Sequence, residues 1–246
     1  MKLISNQHRF VLITIPKNAC VTLKYWFDHL ERGRLLEYEQ LGTRPTGNIH
    51  AYCIENYIYR PVEESYLKFA VIRNPWVRLA SCYFDKIVSE RWLPYLHMHC
   101  MADFISYLCS IDLNSDACEQ HWRSQHTFHQ DVKIDKFLKV ESLAEDFAAM
   151  NTLIGVRPVA LPNWKANKGR VDQYHRLYSP QEARIVGDLY ATDVRIGGYA
   201  CPEQMIDPNK PFRRKPPLYF KLRSAIYSLG KKVTVHVRRR PPVQCQ

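Results

Sequence analysis

Glycine is scarce in this 246-residue sequence, with nine in all, and none lies between Phe10 and Arg32. No apolar run approaches the length of a membrane span, and no cysteine pair has the C-x-x-C spacing of many metal and redox sites. We therefore expect no signal peptide, no anchor helix and no metal site. The eight cysteines are expected to be free thiols of a cytoplasmic protein.

Acidic residues are almost missing from the end of the chain. Residues 207–246 hold eleven of the 35 Lys and Arg residues and one of the 24 acidic residues, so they carry +10 of the formal charge of +11. The nearly neutral remainder makes a nucleic-acid partner an unfavourable interpretation. We divide the chain into a domain of residues 1–206 and a tail of residues 207–246 that is proline-rich, basic and amphipathic. Such a tail favours an acidic membrane surface or polymer, or else it docks on its own body or on a second subunit.

Residues 10–26 have the pattern of a buried strand, a short loop and a helix. Phe10–Ile15 is an unbroken run of apolar and β-branched residues that Pro16 ends, and from Val21 the apolar positions recur three or four apart until Gly33. The first N–H groups of a helix have no partner inside the helix and lie at the positive end of its dipole. This junction therefore predicts an anion site, in which Lys17 and Thr22 add an ammonium and a hydroxyl; alternatively, Lys17 is only a solvated residue at the strand end.

A second junction of the same kind follows. Tyr66–Ile72 predicts a strand, Asn74 and Pro75 suit a helix start, and the helix is predicted over Trp76–Val88. Arg73 at the strand end offers a forked phosphate donor, and Ser81 lies eight residues later. The alternative is a surface arginine and a packing serine.

The wider pattern alternates strands and helices. Further elements are predicted as a short helix over Met101–Ser110, a strand over Lys136–Val140, a helix over Glu141–Ile154 and a capped helix from Ser179 to about Tyr190, whereas Arg34–Gly47 is predicted to be irregular. We therefore predict an α/β fold, a three-layer P-loop-like domain with a mainly parallel central sheet flanked by helices. The anion site is expected at the carboxyl ends of the strands.

The two junctions resemble those of a known family. PKNACVTLK is similar to the 5′-phosphosulfate loop, and RNPWVRLAS to the 3′-phosphate motif, of sulfotransferases that use 3′-phosphoadenosine 5′-phosphosulfate, with the closer likeness to the carbohydrate branch. Similarity continues through HWRSQ at 121–125 and DKFLKVESLAEDF at 135–147 to YSPQEARIVGDLYATDVRIGGY at 178–199. The chain departs from the family pattern in lacking a glycine or second hydroxyl residue near Cys20 and Val21.

The resemblance implies a role for each matching position. The 5′-phosphosulfate would be held by the residues of the first loop and helix turn, which are Lys17, Asn18, Ala19, Cys20, Val21, Thr22 and Leu23. Arg73 and Ser81 would bind the 3′-phosphate, and a late basic loop would add Lys168 and Arg170. His50, between the two motifs, is the expected catalytic base, with Lys17 stabilising the leaving phosphate; His121 and Glu55 are the next candidates for the base.

These roles predict transfer of a sulfuryl group to a hydroxyl, most simply that of a glycan, without a metal. Two other functions stay open from the residues alone. One is a P-loop-like kinase, which the missing glycines and the early position of Lys17 disfavour. The other is a non-catalytic basic adaptor for acidic surfaces. A zinc site among the histidines and cysteines of residues 97–129 is also disfavoured, because their spacing matches no common ligand pattern.

Overall fold

The computed structural model describes residues 1–45, 47–89, 98, 100–162, 164 and 174–202. Its centre is one four-stranded sheet in the order β1-β2-β3-β4. The strands are β1 Lys2–Ser5, β2 Phe10–Ile13, β3 Leu67–Ile72 and β4 Lys136–Lys139. Strands β2, β3 and β4 are parallel, and β1 pairs with β2 in the antiparallel sense. The predicted α/β class and mainly parallel sheet are confirmed.

Helices connect the parallel strands, as crossovers between parallel neighbours require. The α-helices within the described residues are α1 Cys20–Glu31, α2 Leu35–Glu39, α3 Ile49–Tyr57, α4 Pro75–Cys82, α5 Met101–Leu108, α6 Leu143–Leu153, α7 Pro180–Leu189 and α8 Ala191–Gly197. The capping box predicted at Ser179 and Glu182 is present, and Asn74 caps α4 with Pro75 in its first turn.

The two faces of the sheet bury different side chains because successive strand residues point to opposite faces. Phe10 and Leu12 pack with Trp26 and Phe27 of α1 and with Phe147 of α6. Val11 and Ile13 pack on the other face, in a cluster that includes Ile196 of α8. A separate core joins α4, α5 and α7 around Trp76, Phe104 and Trp122. Because β2 and β3 are parallel neighbours, the loops that follow them lie at the same edge of the sheet.

Two local predictions were wrong, and one strand was missed. Residues 34–47 were predicted to be irregular, but they contain α2, whose Tyr38 is buried against the core of α1. The helix predicted to run to Val88 is α-helical only to Cys82, and it continues as a π-helix, Tyr83–Ser89. Strand β1 was not predicted; its four residues gain their hydrogen-bond partners from β2, which periodicity within so short a segment does not indicate.

Two predicted features lie outside the described residues. These are the late basic loop with Lys168 and Arg170, and the tail of residues 207–246. Across the part of the chain that is described, no helix is long and apolar enough to cross a membrane.

Candidate functional site

The loop between β2 and α1 adopts an unusual backbone for a segment without glycine. Lys17 and Ala19 have φ angles of 71° and 55°, both in the left-handed region. A non-glycine residue there carries a conformational cost, which persists only where surrounding contacts impose it. Two such residues in three positions indicate that this loop conformation is fixed by its contacts.

The start of α1 presents unpartnered donors at this loop. Its first intrahelical bond runs from the Leu23 N–H to the Ala19 carbonyl, at 3.1 Å. The N–H groups of Cys20, Val21 and Thr22 precede that bond and therefore have no acceptor four residues back. No acidic residue lies in this first turn. The arrangement suits an anion at the positive end of the helix dipole.

Asn18 fastens the loop to the neighbouring strand. Its fully buried side-chain amide donates from Nδ2 to the Val71 carbonyl at 2.8 Å and to Oε1 of Gln125 at 2.7 Å. Asn18, which the sequence placed among the phosphosulfate contacts, therefore uses these side-chain donors to hold the loop. Its backbone remains part of the loop that is predicted to bind the anion.

Arg73 joins the second junction to the first. Its Nη1 donates to the Lys17 carbonyl at 2.8 Å, so a guanidinium from the end of β3 reaches the backbone of the loop after β2. The two motifs that were predicted to bind phosphate are therefore in contact in the fold. A planar guanidinium beside first-turn N–H groups places a forked donor where a second phosphate could bind.

The other residues of the second motif are more deeply placed. Arg78 is 2% exposed and donates to the carbonyls of Pro16, Arg123 and Gln120 at 3.1, 2.9 and 3.3 Å. Through these hydrogen bonds Arg78 joins the loop after β2 to the segment that carries His121. Ser81 lies in the same helix, α4, and is 7% exposed.

Gln125 is the link that sequence reasoning missed. Its buried amide accepts from the Arg73 N–H at 2.9 Å and donates to the Arg73 carbonyl at 2.8 Å, besides accepting from Asn18. Asp193 of α8 accepts from the Gln125 N–H at 2.7 Å. Only its place in the HWRSQ resemblance singled it out, because no spacing rule connects Gln125 with two junctions 52 and 107 residues away.

Replacing Gln125 with alanine is expected to lower the free energy of unfolding by about 2–3 kcal/mol, since it removes the three hydrogen bonds of a buried side chain and takes this partner from the N–H and the carbonyl of Arg73. Nucleotide affinity should fall as well, because Arg73 and Asn18 lose a shared anchor. Thermal and urea unfolding measure the first effect. Gln120→Ala is the matched control, as that side chain is exposed and the bond to Arg78 uses the backbone carbonyl, which the variant keeps; equal losses in the two variants would contradict this role.

Lys17 is not free in this structure. Its Nζ donates to Oδ2 of Asp85 in the π-helix at 2.9 Å, and Lys86 Nζ lies 3.2 Å from the same oxygen. Burial acts to raise the pKa of Asp85, but the hydrogen bonds and charges of Lys17 and then Lys86 outweigh it and lower that pKa. Asp85 is therefore a carboxylate at neutral pH.

His50 lies in the first turn of α3, with its Nδ1 2.7 Å from Nζ of the buried Lys24. Loss of hydration, then the charge of Lys24, the N-terminal amine and His121 lower the pKa of His50. An ammonium donates and the imidazole nitrogen accepts, which puts the ring proton of neutral His50 on Nε2. Lys24 was not predicted to be a site residue.

The other histidines near the motifs differ in their surroundings. His121 directs Nδ1 to Oε1 of Glu119 at 2.7 Å, in a segment that Arg78 ties to the loop. His29 also lies between the two motifs in sequence, but it is buried in α1, with Nδ1 3.2 Å from the Arg34 carbonyl. Glu55 is exposed on α3. Of the alternatives to His50, His121 lies in the segment that Arg78 ties to the loop.

The model of the sulfotransferase family matches residues 2–200, which is most of the chain. No curated protein and no solved structure matches it. Within the described residues, no three His, Cys, Asp or Glu side chains come together as metal ligands would.

Proposed function

We propose, since the chain belongs to the sulfotransferase family, that it transfers a sulfuryl group from 3′-phosphoadenosine 5′-phosphosulfate to a hydroxyl of a carbohydrate. The observation that carries the donor assignment is the contact of Arg73 with the Lys17 carbonyl at 2.8 Å. It gathers a guanidinium, an ammonium and the first N–H groups of α1 at one edge of the sheet. A donor with two separate phosphate positions needs two such sets of cationic and N–H donors.

Each set has a distinct task in this proposal. The backbone of residues 18–22 and the Lys17 ammonium bind the 5′-phosphosulfate, while Arg73 and Ser81 bind the 3′-phosphate. Recognition of the 3′-phosphate distinguishes this donor from ATP and AMP. Lys168, from the late basic loop, is proposed as a further contact to that phosphate.

The reaction needs positioning, charge neutralisation and one proton transfer. The acceptor oxygen forms a bond to sulfur as the bond from sulfur to the 5′-phosphate oxygen breaks, and that phosphate keeps the electron pair. Lys17 neutralises the charge that grows on the leaving oxygen. The hydroxyl proton passes to His50, which the sequence motifs favour, or to His121, whose segment Arg78 ties to the loop.

The proposal of a carbohydrate acceptor rests on features of the sequence and not on the contacts of the loop. The two motifs resemble those of the carbohydrate branch more than those of other sulfotransferases. A basic tail of residues 207–246 is suited to an acidic glycan or an anionic membrane surface, which would bring the protein to its acceptor. These are our proposals for substrate and partner.

A transfer assay with the labelled donor and a panel of glycans and small alcohols tests the function. We expect label to appear on glycan hydroxyls, and calorimetry to show 3′-phosphoadenosine 5′-phosphate binding at least tenfold more tightly than AMP, as one added charge-assisted phosphate contact implies. Equal affinity for the two nucleotides would contradict the donor assignment. Labelling from the γ-phosphate of ATP would support the kinase alternative, and binding of glycans without transfer the adaptor alternative.

A further inference from the structure

The ion pair between Lys17 and Asp85 stands in the way of the task proposed for Lys17. The two side chains are 16% and 28% exposed and come from positions 68 residues apart. A half-buried pair of this kind is less screened by solvent and salt than a surface pair. Lys17 therefore has to exchange a carboxylate for the donor's phosphosulfate.

Asp85 also introduces a negative charge into an anion site. Its lowered pKa keeps it ionised at neutral pH, with Lys86 as its second cationic neighbour. An ionised acid that touches the loop lysine repels an incoming anion and competes for its ammonium. A site shaped only for anion affinity would not contain such a group.

The backbone at Asp85 is unusual too. Residues 83–89 continue α4 as a π-helix, and π-turns inside helices are rare and occur frequently at functional sites. This widened segment belongs to the same helix as Ser81, so Asp85, Ser81 and Arg73 belong to one junction. The carboxylate is thus part of the structure that carries the predicted 3′-phosphate motif.

We propose that Asp85 is a positioning residue that holds the Lys17 ammonium in the donor-free protein and yields it when the donor binds. The inference rests on the proposed function and deepens it. Breaking the pair subtracts from the affinity of every anion that reaches the loop. A small anion such as inorganic sulfate gains too little elsewhere to replace Asp85, whereas a donor that also contacts Arg73 and the first turn of α1 gains enough. Asp85 therefore keeps inorganic sulfate from filling the site at concentrations at which the donor, with its additional contacts, still binds.

The test is a double-mutant cycle between Asp85→Asn and Lys17→Met, with binding of 3′-phosphoadenosine 5′-phosphate and of inorganic sulfate measured by calorimetry. Asparagine keeps the shape and removes the charge. In the wild-type background we expect Asp85→Asn to lower the dissociation constant of the nucleotide by about tenfold, because repulsion is removed and no ion pair has to break. In the Lys17→Met background the same substitution should raise nucleotide affinity much less, since there is no ion pair to break and only the repulsion by Asp85 is removed.

Steady-state kinetics give a second readout. Under this proposal the KM for the donor falls in Asp85→Asn while kcat does not rise, and sulfate becomes a stronger competitive inhibitor. Asp188→Asn makes the same chemical change at an exposed position of α7 and should alter none of these quantities. Melting temperatures of all variants verify that they fold.

Two outcomes would overturn the inference. If Asp85→Asn raised nucleotide affinity equally with Lys and with Met at position 17, the ion pair would survive donor binding and Asp85 would only repel anions. A loss of nucleotide affinity in Asp85→Asn would mean that Asp85 supports the loop. If the wild-type protein binds the 3′-phosphorylated nucleotide no more tightly than AMP, the proposed donor is wrong. The double-mutant cycle measured with inorganic sulfate then still tests the Lys17–Asp85 pair.

Discussion

Replacing His50 with alanine is expected to lower turnover by about a hundredfold or more, the usual effect of losing a general base. A hydroxyl is a poor nucleophile while it keeps its proton, and a histidine titrates close to neutral pH. Because His50 is exposed on α3, the loss of folding stability should be confined to its contact with Lys24, and the melting temperature and the affinity for 3′-phosphoadenosine 5′-phosphate should stay close to wild type. Steady-state kinetics with calorimetry separates these quantities.

The control for His50 is His8→Ala, which removes a histidine at the turn between β1 and β2. His121→Ala tests the competing base. If turnover survives in His50→Ala and collapses in His121→Ala, the base is the histidine that faces Glu119. If His50→Ala loses nucleotide binding and stability along with activity, His50 has a structural role.

The contact between His50 and Lys24 adds a condition to this prediction. While the ammonium donates to Nδ1 at 2.7 Å and the ring proton occupies Nε2, neither nitrogen has a lone pair available for the acceptor proton. His50 therefore serves as the base only when Lys24 leaves Nδ1. Nitrogen-15 NMR of the imidazole with and without 3′-phosphoadenosine 5′-phosphate measures this directly, and we expect the Nδ1 signal to change on binding.

Replacing Arg73 with alanine is expected to weaken binding of 3′-phosphoadenosine 5′-phosphate by about tenfold to a hundredfold, since a charge-assisted hydrogen bond contributes about 1.5–3 kcal/mol. The guanidinium has a second task, because Nη1 also supports the Lys17 carbonyl. Calorimetry with two nucleotides separates the tasks. A loss confined to the 3′-phosphorylated nucleotide reports the phosphate contact, whereas equal losses with AMP report only support of the loop and would remove the assignment.

Arg73→Lys refines this comparison. Lysine keeps the charge but not the planar fork, so we expect an affinity between those of wild type and Arg73→Ala. Gln125 holds the Arg73 backbone on both its N–H and its carbonyl, so the residue at position 73 should remain in place in both variants. Thermal unfolding of the two variants verifies this expectation.

The sequence by itself determined the elements whose signals are local. Strand and helix periods, the Asn74 and Ser179 caps and Pro75 act within a few residues, so both junctions, the mainly parallel sheet and the family resemblance were predictable. The sequence also predicted an anion site at the carboxyl ends of the strands, and parallel pairing of β2 and β3 brings those ends to one edge of the sheet.

Tertiary structure decided what depends on partners distant in the chain. Strand β1 exists through pairing with β2, and α2 through the burial of Tyr38. The bonds of Gln125 to Arg73 and Asn18, the Lys24–His50 contact and the Lys17–Asp85 pair join residues 26 to 107 positions apart. No periodicity or cap encodes such pairs, because the free energy that selects them arises only once the packed core has fixed both side chains in one place.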